Sequence, residues 1–159
     1  MRHKKSVTIG IPAHNEEANI HNLLNAVLAQ KRENFELEKV IVICDGCIDA
    51  TEKKAREFSK KYPIVEVVSD GQRKGKAQRL NELYRANSSD IMVTLDADIV
   101  LADDFVVNEI VKNINSEYVV AGANFQPHKG KTLFEKFINA GDALWYEIRK
   151  NDRNGDSVY

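Results

Sequence analysis

Two carboxylates close the apolar run Ile91-Met92-Val93-Thr94-Leu95, in the triplet Asp96-Ala97-Asp98. In an extended segment residues i and i+2 point to the same side, so both carboxylates face one spot. Paired hard oxygens suit Mg2+ or Mn2+, ions that are readily shared with substrate phosphates. The plainer alternative is a turn with a helix cap, since Asp is common in both.

Other residues could join such a centre. The segment Gly71-Gln72-Arg73-Lys74-Gly75-Lys76 is basic, and Arg79 follows it. It is not a P-loop: the glycines are one residue too close, and Ala77 stands where Ser or Thr would bind Mg2+. Its charge can still attract a pyrophosphate; the competing reading is a solvated loop and helix face. In Pro12-Ala13-His14-Asn15-Glu16-Glu17, His14 offers a flat ring for a base or is an exposed loop histidine. Asn15 can cap a following helix, whose positive end Glu16 and Glu17 would favour. Acids there repel a phosphate, and Gly-x-Gly-x-x-Gly is missing, which argues against a Rossmann dinucleotide site. Asp45 ends another apolar run and can accept a hydrogen bond from a ligand N–H. Cys44-Asp45-Gly46-Cys47 has Cys-x-x-Cys spacing, but there is no second pair for zinc. Gly46 and Asp49 suggest a turn, so a buried Cys44 and a small turn residue at Cys47 are expected instead of redox chemistry.

The elements that position these residues follow from the apolar pattern. Strands are expected at Val7–Ile11, Val40–Cys44, Ile64–Val68, Ile91–Leu95 and Tyr118–Ala123. Helices are expected at about Glu16–Gln30, Ala50–Lys61, Lys76–Arg85, Asp103–Asn115 and Leu133–Arg149. The strands are Val- and Ile-rich with little polar alternation, as in strands covered on both faces. Alternating strand and helix implies an α/β fold with a mainly parallel open sheet and helices on both faces. Ligands of such sheets sit at the carboxyl ends of the strands, where all the residues above collect.

Composition narrows the function. A length of 159 residues fits one domain, and 43% hydrophobic with 30% charged residues is ordinary for a folded protein. With 23 Lys+Arg against 24 Asp+Glu, the net charge of -1 argues against nucleic acid as a partner. No apolar stretch is long enough for a membrane span, and the run after the basic start is too short for a signal peptide. Two cysteines fit a reducing cytoplasm, or the cytoplasmic face of a membrane if the protein is longer.

Taken in order, four segments resemble the family-two glycosyltransferases, which have the Rossmann-like GT-A fold. The family pattern Pro-x-Tyr-Asn-Glu is matched by Pro12-Ala13-His14-Asn15-Glu16. Asp-Asp-Gly-Ser-x-Asp-x-Thr is matched by Cys44-Asp45-Gly46-Cys47-Ile48-Asp49-Ala50-Thr51. Gly-Lys-x-x-Ala-Leu-Asn is matched by Gly75-Lys76-Ala77-Gln78-Arg79-Leu80-Asn81, and the metal motif by Asp96-Ala97-Asp98. Cys44, Cys47 and His14 depart from the pattern, the last keeping a flat ring.

The resemblance implies a nucleotide-diphosphate sugar donor, a Mg2+ or Mn2+ ion, and transfer to an unknown acceptor with inversion. Donor-binding roles fall to Pro12, His14, Asn15, Glu16, Asp45, Arg73, Gly75, Lys76, Asp96 and Ala97. Pro12 and His14 would hold the base, and Asp45 its edge, best matched by a uracil N–H. Lys76, with Arg73 nearby, would lie by the diphosphate. Asp96 would reach the ribose or the metal shell, and Asp98 would bind the metal. The family's base lies on a later acidic motif. Asp142 and Glu147 lack that context, so no base is assigned and residues 1–159 are expected to form the donor-binding portion. A non-catalytic nucleotide-sugar-binding module is the alternative. The Asp-x-Asp run also resembles the nucleophile motif of haloacid-dehalogenase-type phosphatases, but that motif opens its domain and needs acidic partners downstream.

Overall fold

A computed structural model describes residues 4–114, all within the first of two units, Met1–Ala121 and Gly122–Tyr159. The expected strand Tyr118–Ala123 and helix Leu133–Arg149 lie outside the described residues. The order is β1 (Lys5–Ala13), α1 (Ile20–Ala29), β2 (Phe35–Cys44), α2 (Thr51–Lys61), β3 (Val65–Ser69), α3 (Lys76–Ala86), β4 (Ile91–Thr94) and α4 (Val106–Lys112). The four strands form one parallel sheet in the order β3-β2-β1-β4. The chain therefore steps outward from β1 through β2 to β3, then returns to the far side of β1. That reversal makes the carboxyl edge beside β1 the topological switch point, where such sheets open a crevice.

Alternation along each strand feeds two apolar layers. Val7, Ile9 and Ile11 of β1, with Val40 and Val42 of β2, pack into the larger core with apolar residues of α1, α2 and α4. Helix α1 supplies Ile20, Leu23, Leu24 and Val27, the spacing of one helical stripe. On the opposite face Ile41 and Ile43 meet Leu83 of α3, with Leu80 and Met92 beside them. Helices thus cover both faces, as the unbroken apolar strands imply. The α3 side is thin: a Cβ added to Gly10 would come 3.0 Å from both Leu83 methyl carbons.

The boundaries differ instructively from expectation. Strand β1 runs to Ala13 and β2 starts at Phe35, because the parallel ladder pairs Lys5 with Phe35 through to Ala13 with Cys44. Helix α1 starts at Ile20, not Glu16. Asn15 does not cap it: Asn15 is left-handed, with φ 55, and turns the chain first. Its Oδ1 accepts instead from Ile48 N at 2.9 Å. Helix α4 starts at Val106, not Asp103, because Asp103 Oδ1 takes the amide of Phe105 at 2.7 Å in a local turn.

Candidate functional site

Four loops meet at the carboxyl edge of the sheet. The turn after β1 is laced to the turn after β2. Glu16 N donates to Thr51 Oγ1 at 2.7 Å, Glu17 N to Asp49 Oδ2 at 3.1 Å, and Ala50 N to Glu17 Oε2 at 2.9 Å. The carboxylate of Glu17, expected at the start of α1, thus serves the start of α2, where it satisfies an amide just ahead of the first turn. Glu16 Oε2 accepts from Asn19 Nδ2 at 2.7 Å. In this arrangement Asn15 and Glu16 have loop-building partners of their own.

His14 is half-buried between these turns. Its Nδ1 lies 2.7 Å from the Asp45 carbonyl, which can only accept, so Nδ1 carries the proton. Nε2 then accepts from Asn15 Nδ2 at 3.3 Å. The two contacts fix the tautomer and the plane of the ring. Pro12 is half-buried at the end of β1.

Asp45 is 5% exposed and fastens the next loop. Oδ1 accepts from Lys74 N at 2.6 Å and Arg79 Nε at 2.9 Å; Oδ2 accepts from Gly75 N at 3.0 Å. Burial pushes its pKa up, but these N–H groups and the guanidinium charge outweigh it and hold the carboxyl below the ordinary value. A carboxylate has about four acceptor sites, so Oδ2 keeps room for roughly one more donor. Gly46, next in sequence, has φ 59, and a Cβ there would lie 2.8 Å from Arg73 N. Only glycine lets the 70–75 turn approach β2 this closely.

That turn carries a charge network. Lys74 Nζ pairs with Asp70 and with Glu82, the latter at 3.1 Å. Arg79 holds Asp70 at 2.6 Å and Glu82 at 2.8 Å. The hydrogen bonds from Arg79 and then Lys74 hold Asp70 and Glu82 below their ordinary pKa, while Asp70 and then Glu82 raise that of Lys74. Arg79 is only 1% exposed, so it belongs to neither expected setting, a pyrophosphate-facing surface or a solvated helix face. Glu82 three positions on and Asp70 nine before were its visible signals. Arg73 is exposed on the turn.

The loop after β4 completes the edge. Asp96 and Asp98 reach solvent while Ala97, 4% exposed, points into the core. The exposure of the triplet alternates, but the extended segment expected there is replaced by a turn beyond the end of β4 at Thr94. Lys76, the first residue of α3, meets Asp96 with 2.7 Å to each carboxylate oxygen. The structure thereby joins the β3–α3 and β4 loops across the ends of β2 and β1. Among the described residues no group of three or more His, Cys, Asp or Glu could hold a metal ion. Another arrangement needs only one or two carboxylates that share an ion with a bound phosphate, and Asp96 and Asp98 are the solvent-reaching carboxylates of this loop.

The cysteines are spent on packing. Both are free; Cys44 is buried, and Cys47 Sγ donates to the Ala13 carbonyl at 3.3 Å. Burial, with Cys47 next, pushes the Cys44 thiol up to about 12, which opposes thiolate chemistry at neutral pH.

Known proteins share this plan. The probable glycosyltransferase YdaM of Bacillus subtilis is 31% identical over 144 residues, 87% of this chain and 34% of that protein. The dolichol-phosphate mannosyltransferase of Pyrococcus furiosus is 32% identical over 73% of this chain and 34% of its own length. A mannosyltransferase from Pyrobaculum calidifontis, solved with GDP-Man and Mn2+, superposes with a TM-score of 0.62 at 26% identity, over 70% of this chain and 32% of that one. Glucosyl-3-phosphoglycerate synthase from Mycobacterium tuberculosis, solved with UDP, gives 0.57 at 27% identity, over 69% of this chain and 39% of that one. The chain therefore spans about a third of the length of these relatives. Both solved neighbours share the parallel sheet with flanking helices. The family model of Glycosyl transferase family 2 matches residues 8–158, and the chain belongs to that family.

Proposed function

We propose that this chain forms the donor site of a glycosyltransferase that uses a nucleotide-diphosphate sugar, with UDP as the nucleotide, together with Mg2+ or Mn2+. The carrying observation is the convergence of His14, Asp45, Lys76 and Asp96 on one edge of the sheet, with Lys76 already paired to Asp96. Complexes of the solved relatives with GDP-Man and Mn2+ and with UDP support the substrate class. In this reading the His14 ring, set by the Asp45 carbonyl, stacks on the base. The remaining acceptor site of Asp45 Oδ2 takes one base N–H. Pro12 and Gly75 shape the backbone around the nucleotide, and Arg73 lends charge at the rim. Lys76 turns to the diphosphate, and Asp96 and Asp98 hold the cation.

A bound cation would offset the charge that develops on the departing diphosphate. An acceptor hydroxyl attacks the anomeric carbon and gives its proton to a general base, which is none of these donor-site residues; the bond from that carbon to the diphosphate oxygen breaks, and configuration inverts. Asn15 and Glu16 act by fixing the turn that carries His14. Two free cysteines suit a reducing cytoplasm, and no described helix is long and apolar enough to cross a membrane.

Thermal melts with UDP, GDP and their sugars, each with and without Mn2+, test the reading. A nucleotide at a hundred times its Kd should add about 2.7 kcal/mol to stability. UDP with Mn2+ should give the largest rise, and Asp98→Asn should remove the metal-dependent part while leaving the ligand-free melt within about 0.5 kcal/mol of wild type. Absence of a shift with every nucleotide, with and without metal, rejects the reading; a shift with GDP alone reassigns the base.

A further inference from the structure

Arg79 is the largest fully buried side chain among the described residues. A guanidinium has five N–H donors in a rigid planar fork. All five have acceptors here. Nε donates to Asp45 Oδ1 at 2.9 Å; Nη1 donates to Asp70 Oδ2 at 3.2 Å and Glu82 Oε2 at 2.8 Å. Nη2 donates to Asp70 Oδ1 at 2.6 Å and to the Gln72 carbonyl. No donor is left for a phosphate or a base, so Arg79 does not itself bind ligand. Its acceptors come from the end of β2, from the 70–75 turn and from α3. One side chain therefore joins three elements of the candidate site.

The same Asp45 oxygen that accepts Arg79 Nε also accepts Lys74 N, and its other oxygen accepts Gly75 N. The turn is thus tied twice, through Asp45 and directly through Asp70 and Gln72. Lys76 follows the tied residues and lies one helical turn before Arg79, on the side that meets Asp96. Stability alone does not call for such a network, since well-packed apolar residues often match or exceed a buried ion pair. Its planar fork does fix direction, which a hydrophobic contact does not.

We propose that Arg79 is a positioning residue of the donor site. It locks the 70–75 turn onto Asp45 before a nucleotide arrives, and so holds Lys76 where it meets Asp96 and can meet a diphosphate. This rests on the reading above that this edge takes a nucleoside diphosphate. A lysine cannot replace it, having three donors and no fork.

The test uses the full 159-residue chain. Amide hydrogen exchange is measured without ligand, and UDP affinity with Mn2+, for wild type, Arg79→Lys and Asp70→Asn. The second variant removes charge from a half-exposed acceptor and keeps its shape, so it reports even if Arg79→Lys fails to fold. Exchange at Lys74 and Gly75 should quicken about tenfold in both variants, as expected for losing a charge-assisted hydrogen bond. Amides of β1 and β2 should exchange as in wild type. UDP affinity should fall about tenfold in Arg79→Lys, and by about twofold or less when Lys76→Met is already present. Wild-type exchange at Lys74 and Gly75, or a loss of affinity undiminished by Lys76→Met, overturns the proposal. Failure of the wild type to bind any nucleoside diphosphate rejects the functional reading instead, and the exchange at Lys74 and Gly75 still decides the lock.

Discussion

Asp45 and Asp96 follow two strands that flank β1, and they have opposite surroundings. The side chain of Asp45 is 7% exposed and accepts from two backbone amides and a buried guanidinium. That of Asp96 is 47% exposed and shares its oxygens with one lysine, itself 60% exposed. The first carboxylate is built into its loop; the second has a partner that solvent or a ligand can replace. An acidic residue at a strand end is thus either fixed by its own loop or left with an exchangeable partner, according to who else holds its oxygens.

The largest expected effect breaks the buried member. Asp45→Ala leaves Arg79 short of one acceptor and strands the amides of Lys74 and Gly75. Breaking a buried pair from one side costs about 3–5 kcal/mol. Asp96→Ala should change stability by about 1 kcal/mol or less, because exposed ion pairs contribute little. Urea denaturation of both variants reads the contrast, and equal losses would erase the distinction between them.

Acid should separate the two regions next. Asp45, Asp70 and Glu82 all have folded pKa values below their ordinary ones. Depressed carboxyls contribute stability that is fully present above their unfolded pKa, about 4, and lost as pH falls through the folded values. The raised pKa of Lys74 contributes below its unfolded value, about 10.4, and is lost above it. The 70–79 region should therefore hold between those limits and loosen first on the acid side. Amide exchange at Gly75 should rise more steeply than at Leu95, bonded to the Gly10 carbonyl in the sheet, as pH is lowered after correction for intrinsic rates. Parallel pH dependence at the two amides would remove the network from the account.

What the sequence disclosed follows the range of the interactions. Helices α2 and α3 begin within one residue of expectation, since local periodicity sets them. The outward pair Asp96 and Asp98 around inward Ala97 was legible for the same reason, as was a buried Cys44. Glu17 misled because capping rules look to the adjacent helix, whereas it bonds to Asp49 and Ala50 more than thirty positions away, while the carboxylate of Glu16 stays local on Asn19. Arg79 was hidden more deeply. A basic run predicts exposure, and the acceptors that allow burial of its guanidinium include Asp45, 34 residues earlier. Family resemblance gives Asn15 and Glu16 donor-binding roles, whereas the partners found for them lie within the loops themselves.

The smallest effect is the most diagnostic for the exposed member. Lys76→Met keeps the length of the side chain and removes its charge, so Asp96 loses a bidentate partner at 2.7 Å. Stability should move by less than about 1 kcal/mol, as for other exposed pairs. Ion binding should move more visibly. If Lys76 occupies Asp96 until a diphosphate draws it away, Lys76 competes with a cation in the ligand-free protein and stops competing once nucleotide is bound. Mn2+ and UDP would then each raise the affinity for the other by the same factor, since coupling between sites is reciprocal. The pair's energy limits that factor to about fivefold. Titration of Mn2+ followed by its paramagnetic resonance signal should show tighter metal binding in Lys76→Met without UDP, and a smaller gain when UDP is added. Equal Mn2+ affinity in the two ligand-free proteins would mean that Lys76 does not stand in for the cation, and Asp96 would lose the replaceable partner that sets it apart from Asp45.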